Sequence, residues 1–164
     1  MKDMEIERKF TVKELPSNLT AYPSHRIEQA YLNIDPVVRV RRQDEEYYLT
    51  YKGKGFLARE EYNLPLNKES YDHLLQKADG NIISKTRYLI PFSEKASGTG
   101  TESVPSGLTI ELDVFDAPFA PLIIAEVEFP SREAAGAFLP PDWFNEDVTC
   151  NAGYHNSHLS RMVF

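Results

Sequence analysis

Glu5, Glu7 and Lys9 alternate with Ile6, Arg8 and Phe10 near the start of the chain. In an extended strand successive side chains point to opposite faces, so the two acids and the lysine share one face and Ile6 and Phe10 share the other. Two carboxylates about 7 Å apart along such a strand can converge on one hard divalent cation, and a lysine one step further can hold an anion beside it. The spacing returns in Arg39 and Arg41, Lys85 and Arg87, Glu111 and Asp113, and Glu126 and Glu128, with apolar residues between or beside most of them. Lys52 stands opposite in parity to Tyr51, and Glu61 lies in a run that continues to Leu64. Like charges two apart on one strand repel unless something of opposite sign lies between them. Basic doublets therefore ask for an anion and acidic doublets for a cation. Acids and bases are nearly balanced in this set, so it can gather in a confined cavity if ions and hydrogen bonds pair it.

Strands must carry these side chains, and eight segments read as strands, at about 3–11, 26–34, 37–43, 46–54, 58–66, 82–91, 107–116 and 122–129. Eight strands can close into a barrel, and the tight connection at Asp44-Glu45 together with Pro36 predicts hairpins and a mostly antiparallel topology. The expected fold is mostly β, in the α+β class: an eight-stranded antiparallel barrel with flanking helices. Asn67 to Gly80 reads as a helix, capped by Asn67 and ended by Gly80, with Tyr71, Leu74, Leu75 and Ala78 as its apolar stripe. Ser131 caps a second helix that Pro140 and Pro141 stop, and Asn151 to Arg161 reads as a last helix that plugs or flanks one mouth. The segment from Ser93 to Gly107, rich in Ser, Thr and Gly, reads as a flexible connection.

At 164 residues with 41% hydrophobic content, residues 1–164 read as a single domain with a substantial core. A lone cysteine, Cys150, forms no internal disulfide and belongs to no metal-spaced cluster, which points to a reducing cytoplasm and a buried structural thiol. No apolar run spans a bilayer and no signal-peptide pattern opens the chain, so no membrane span is expected. The net charge of −7 argues against nucleic acid or a membrane surface as partner. It leaves room for a phosphate ligand, because local sign matters more than the sum. The four histidines offer no pair on a shared strand face, which argues against zinc.

The ordered set from Glu5-x-Glu7-x-Lys9 through the two basic pairs to Glu111-x-Asp113 and Glu126-x-Glu128 resembles the CYTH superfamily, the triphosphate tunnel metalloenzymes. The resemblance covers essentially the whole chain. Gln29-Ala30-Tyr31-Leu32, Lys85-Thr86-Arg87-Tyr88, Glu111-Leu112-Asp113-Val114-Phe115 and Glu126-Val127-Glu128-Phe129 look like its bacterial inorganic triphosphatase branch. It implies an eight-stranded tunnel that holds a triphosphate lengthwise and needs a divalent metal, Mg²⁺ or Mn²⁺. Carried over by position, Glu5, Glu7, Asp113, Glu126 and Glu128 match metal ligands, while Lys9, Arg39, Arg41, Lys52, Lys85 and Arg87 match phosphate contacts. Glu61 and Glu111 match acidic tunnel positions without a fixed role. Two positions depart from the pattern: Asn63 stands where relatives often carry an acid, and Ser157 where the last helix carries a lysine. His155, His158 or Arg161 are candidates to replace that lysine.

The implied activity is metal-dependent hydrolysis of inorganic tripolyphosphate to pyrophosphate and phosphate. Thiamine or nucleoside triphosphatase, class IV adenylate cyclase and a non-catalytic polyphosphate-binding module are the alternatives. Gln29, Tyr31 and Asn33 share the inward parity of the second strand. Tyr31 is the candidate that positions the attacking water or accepts its proton, set against a plain packing role in the tunnel wall, and Lys85 is the second catalytic candidate. Arg8 and Arg42 have the opposite parity and are expected in salt bridges outside. A monomer or homodimer acting on a small-molecule triphosphate is expected.

Overall fold

The computed structural model describes residues 3–92 and 107–164. Its strands are β1 (Asp3–Val12), β2 (Ser24–Ile34), β3 (Val37–Gln43), β4 (Glu46–Lys52), β5 (Ala58–Leu66), β6 (Asp79–Phe92), β7 (Leu108–Phe115), β8 (Ile123–Glu128) and β9 (Phe144–Asp147). Short helices α1 (Lys68–Leu75), α2 (Arg132–Ala137) and α3 (Asn156–Leu159) flank them. The sheet runs β5-β4-β3-β2-β6-β7-β8-β1, and β1 pairs back onto β5, so eight antiparallel strands close into a barrel. All but Gly107 of the connection expected over 93–107 falls outside the described residues.

Apart from β4 and β5, the barrel strands bury residues on both faces, and the alternation divides them. Outward-facing Phe10, Ile110, Leu112, Ala125 and Val127 form a core that α2 and β9 cover, through Ala134, Ala135, Phe138 and Phe144. A second apolar cluster of Tyr31, Val37, Ile83, Phe115, Phe119, Ile124 and Leu159 fills one end of the barrel beneath α3. The opposite parity, where Glu7, Lys9, Arg39, Lys52, Arg87, Asp113 and Glu126 sit buried, faces the axis. The two caps read from sequence form as expected: the Ser70 amide donates to Asn67 Oδ1 at 2.7 Å and the Ala134 amide to Ser131 Oγ at 3.0 Å. Arg8 pairs with Asp147 and Arg42 with Glu45, outside the barrel.

The helix expected over Asn151 to Arg161 is instead a 3-10 turn at Ala152–Tyr154 followed by the single turn of α3 at Asn156–Leu159, and four further expectations differ. The first helix ends at Leu75 rather than Gly80, because β6 begins at Asp79 and Tyr31 pairs with it. Asn33, expected to face inward, is exposed: the β2–β3 register shifts between Tyr31 and Asn33, which turns it out to donate to the Pro36 carbonyl at 2.7 Å. Cys150 is exposed rather than buried, since neighbouring Val148 and Thr149 take the inward positions of that turn. β9, absent from the eight predicted segments, is four residues long and gives too short a pattern to read. Among the described residues no helix is long and apolar enough to cross a membrane.

Gly80 ties the barrel to its tail. Its φ is +76°, and a Cβ there would lie 2.1 Å from the Ser160 carbonyl oxygen, beside the Asn81 amide's 2.7 Å bond to that oxygen. Gly80→Ala is expected to lower stability by about 1–3 kcal/mol, read as a lower thermal midpoint. An unchanged midpoint would show that the tail yields at no cost.

Candidate active site

The charged parity lines a cavity of about 340 Å³ inside the barrel. β1 supplies Glu5, Glu7 and Lys9, β3 supplies Arg39, Arg41 and Gln43, and β4 supplies Tyr48, Thr50 and Lys52. β5 adds Arg59, Glu61 and Asn63, β6 adds Arg87, β7 adds Glu111, and β8 adds Glu126 and Glu128. Tyr31 lines the wall next to the apolar end, where His155, Asn156 and Ser157 of the tail close in. Of the acids and bases matched to metal or phosphate, Lys85 and Asp113 alone do not line this cavity. They form a fully buried ion pair at 2.6 Å just behind the wall. His158 and Arg161 do not line it either, whereas His155 does.

Arg59 escaped the sequence reading, although its place two residues before Glu61 gives it the same inward parity. Asn63 bridges its neighbours: the Thr50 hydroxyl donates to its Oδ1 at 2.7 Å, and its Nδ2 donates to Glu61 Oε1 at 2.8 Å. An amide can serve both because it donates and accepts, which a carboxylate cannot.

Ion pairs hold most of the charged lining. Lys52 Nζ donates to both Glu5 oxygens, at 2.9 and 3.1 Å, and lies 3.3 Å from Glu61. Arg87 makes a two-pronged contact to Asp113 at 2.7 and 2.9 Å, and donates to Glu111 at 3.0 Å. Lys9 lies 3.8 Å from Glu126, and Lys85 also donates to Asn156 Oδ1 at 3.2 Å. Burial raises the Glu5 carboxyl, but Lys52, a hydrogen bond with Glu61 and, least of these, Arg59 outweigh it and hold it down at about 2. Burial also opposes ionisation of Asp113 and Glu126, yet Arg87 and Lys85 pull Asp113 below the usual carboxylate range, and Lys9 and Arg87 pull Glu126 well below it. Burial, reinforced by Arg87 and Arg41, pushes the Lys85 ammonium down to about 7 against the attraction of Asp113.

Two groups of residues lack such partners, and they have opposite signs. Burial and the nearby Glu126 and Glu5 push Glu7 up to about 8; burial with Glu5, Glu111 and Glu61 pushes Glu128 up to about 7. These two acids are register partners on β1 and β8. On the other wall, among the described residues, Arg41 reaches only the Gln29 oxygen, at 2.8 and 2.5 Å, and the buried Arg39 Nε and Gln29 Nε2 have no hydrogen-bond partner. Burial and the guanidiniums of Arg39 and Arg87 push Arg41 down to about 9, still charged at neutral pH. One wall is thus short of a cation and the other short of an anion.

Hard carboxylate oxygens without bases are suitable donors for a divalent cation, and Glu7 and Glu128 are of this kind. Among the described residues no three acids, histidines or cysteines stand together as a ready metal cluster. Glu5 and Glu126 are turned instead to Lys52 and Lys9. The donor set fits a divalent cation in its chemistry, and its pairing with bases must open to receive one.

Residues 3–133 match the CYTH domain family model. The chain is 39% identical over 163 residues to an inorganic triphosphatase of Nitrosomonas europaea, covering 97% of this chain and 98% of that protein. It is 33% identical over 166 residues to an inorganic triphosphatase of Acetivibrio thermocellus, covering 98% and 95%. The crystal structure of the inorganic triphosphatase NE1496 superposes with a TM-score of 0.67 at 34% identity, over 97% of this chain and 95% of that one.

Proposed function

The chain belongs to the CYTH domain family, and from that premise we propose that it is a divalent-metal-dependent triphosphatase that hydrolyses inorganic tripolyphosphate to pyrophosphate and phosphate. The observation that carries this reading is the buried cavity with a cation-short wall at Glu7 and Glu128 facing an anion-short wall at Arg39 and Arg41. A linear triphosphate with its metal satisfies both at once. Residues 1–164 act as one unit in this proposal, since the tail lends His155, Asn156 and Ser157 to the cavity. A lone cysteine favours a cytoplasmic setting.

Arg39, Arg41, Lys9, Lys52 and Arg87 grip the phosphate oxygens, the guanidiniums through paired N–H groups that match phosphate geometry. Lys85 and Asp113 act from behind the wall, fixing Arg87 and Asn156 in place. Glu5, Glu7, Glu126 and Glu128 would hold the metal, a hard divalent cation for which Mg²⁺ and Mn²⁺ are the candidates. A metal held there would offset the charge that develops on the transferred phosphoryl group. Tyr31 lies opposite Arg39 in register, at the inner end of the cavity, where its hydroxyl orients the attacking water. Glu61 and Glu111 balance Lys52 and Arg87 when the cavity is empty.

Metal binding should carry a proton signature. Glu7 and Glu128 have folded pKa values above the usual carboxylate value, so they favour the folded protein while protonated and lose that contribution as pH rises through about 8 and about 7. A cation that needs both ionised binds more tightly as pH rises and expels up to about two protons below that range. Calorimetric titration of Mg²⁺ in buffers of different ionisation heat is expected to show proton release at pH 6 that fades by pH 9. Binding without proton release at pH 6 would place the metal away from these acids.

Tripolyphosphate, ATP and thiamine triphosphate, each with Mg²⁺ or Mn²⁺, test the substrate. Tripolyphosphate should be cleaved fastest, yielding pyrophosphate and phosphate. Cyclic AMP from ATP would overturn the assignment, and tight metal-independent binding without cleavage would make the protein a binding module.

A further inference from the structure

Arg59 is the surplus cation of the cavity. It faces Glu5 directly across the β1–β5 seam that closes the barrel, and its Nε lies 3.6 Å from Glu5 Oε1, beyond hydrogen-bond reach. Glu5 is already served by two bonds from Lys52, so Arg59 adds charge to a carboxylate that needs none. Among the described residues no hydrogen bond holds its guanidinium, which lines the cavity with 14% of its side chain exposed. A group with several N–H donors and one distant partner is poised to take another acceptor.

We propose that Arg59 is a further substrate-positioning residue, released from Glu5 when a divalent cation neutralises that carboxylate and then turned onto a phosphate oxygen. This rests on the triphosphatase reading above and adds to it a reason for the two ligands to bind together. With the cavity empty, Glu5 competes with phosphate for both Lys52 and Arg59. A cation on Glu5 removes that competition and frees two bases, and by reciprocity a triphosphate that draws the bases away leaves Glu5 open to the cation. Lys52 keeps Glu61 as a partner at 3.3 Å, whereas Arg59 has Glu5 alone among the described carboxylates in ion-pair range, so Arg59 gains more from the exchange.

The test is calorimetric binding of a non-hydrolysable imido-tripolyphosphate, with Mg²⁺ and with chelator, to the parent, Arg59→Ala, Arg59→Lys and Glu5→Gln proteins. Loss of one charge-assisted contact should weaken binding to Arg59→Ala about tenfold with Mg²⁺ and change it little in chelator. Arg59→Lys, which keeps the charge, should recover part of the loss. Glu5→Gln, whose side chain imitates the neutralised carboxylate, should bind the analogue more tightly than the parent in chelator, and adding Arg59→Ala should remove most of that gain, leaving the share that Lys52 supplies. Parent-like affinity of Arg59→Ala in Mg²⁺, or an equal loss with and without metal, would overturn the exchange and leave Arg59 a strut of the seam. Thermal midpoints of all variants identify any that fail to fold, and Arg59→Gln, which keeps most of the side-chain volume, then replaces Arg59→Ala. If the parent binds no analogue under either condition, the triphosphatase reading itself has failed, a result distinct from any difference between variants.

Discussion

Arg39→Met is expected to fold as stably as the parent, or more so, while losing about a hundredfold or more in kcat/KM for tripolyphosphate. The two effects part because Arg39 is buried with its Nε unbonded, and among the described residues no carboxylate pairs with it. Burying an unpaired charge costs stability, and methionine keeps the apolar stem while removing the charge. What is lost is a positioned guanidinium on the anion-short wall. Chemical denaturation beside steady-state kinetics checks both halves. A variant that loses stability but keeps its KM would mark Arg39 as part of a structural charge network and the cavity as something other than a phosphate site.

Asp113→Ala is expected to have the opposite signature, a loss of about 3–5 kcal/mol of folding free energy. Asp113 is fully buried, takes two bonds from Arg87 and pairs with Lys85 at 2.6 Å. Without it two cations face each other in the wall, and Lys85, already pushed down to about 7, would discharge more readily. The stability that Asp113 contributes belongs to its ionised form, because its folded pKa lies below the ordinary value. It is therefore present above about pH 4 and is lost as pH falls through the lowered folded value. Urea unfolding at pH 7 measures the effect. A loss under about 1 kcal/mol would mean that water or Asn156 takes over the pairing.

Much of this site was legible because strand parity is a strict rule: one residue of every two faces the axis, so Glu5, Glu7, Lys9, Arg39, Arg41, Arg87, Glu126 and Glu128 were sorted from Arg8 and Arg42 by counting. The rule failed where the ladder slips, as at Asn33 beyond the register shift in β2. Arg59 obeyed the rule and was passed over because it pairs with no like-charged neighbour two places away. Depth was not legible. Alternation puts Lys85 and Asp113 on the inner face, but the apolar cluster beneath α3 and the pairing across β6 and β7 set them behind the cavity wall. The tail was hardest, since a single turn of helix at Asn156–Leu159 has too few residues for a periodicity, and its cavity contacts depend on how it packs against Gly80 and Asn81.

Triphosphate and metal are expected to meet inside the barrel. A crystal structure of the protein with Mn²⁺ and an imido-tripolyphosphate, with the anomalous signal of manganese recorded, tests it most directly. Manganese is expected among Glu5, Glu7, Glu126 and Glu128, with the analogue lying along the axis against Arg39 and Arg41. Manganese and analogue bound on the outer surface, with the interior ion pairs of Glu5 and Lys52 intact, would contradict it.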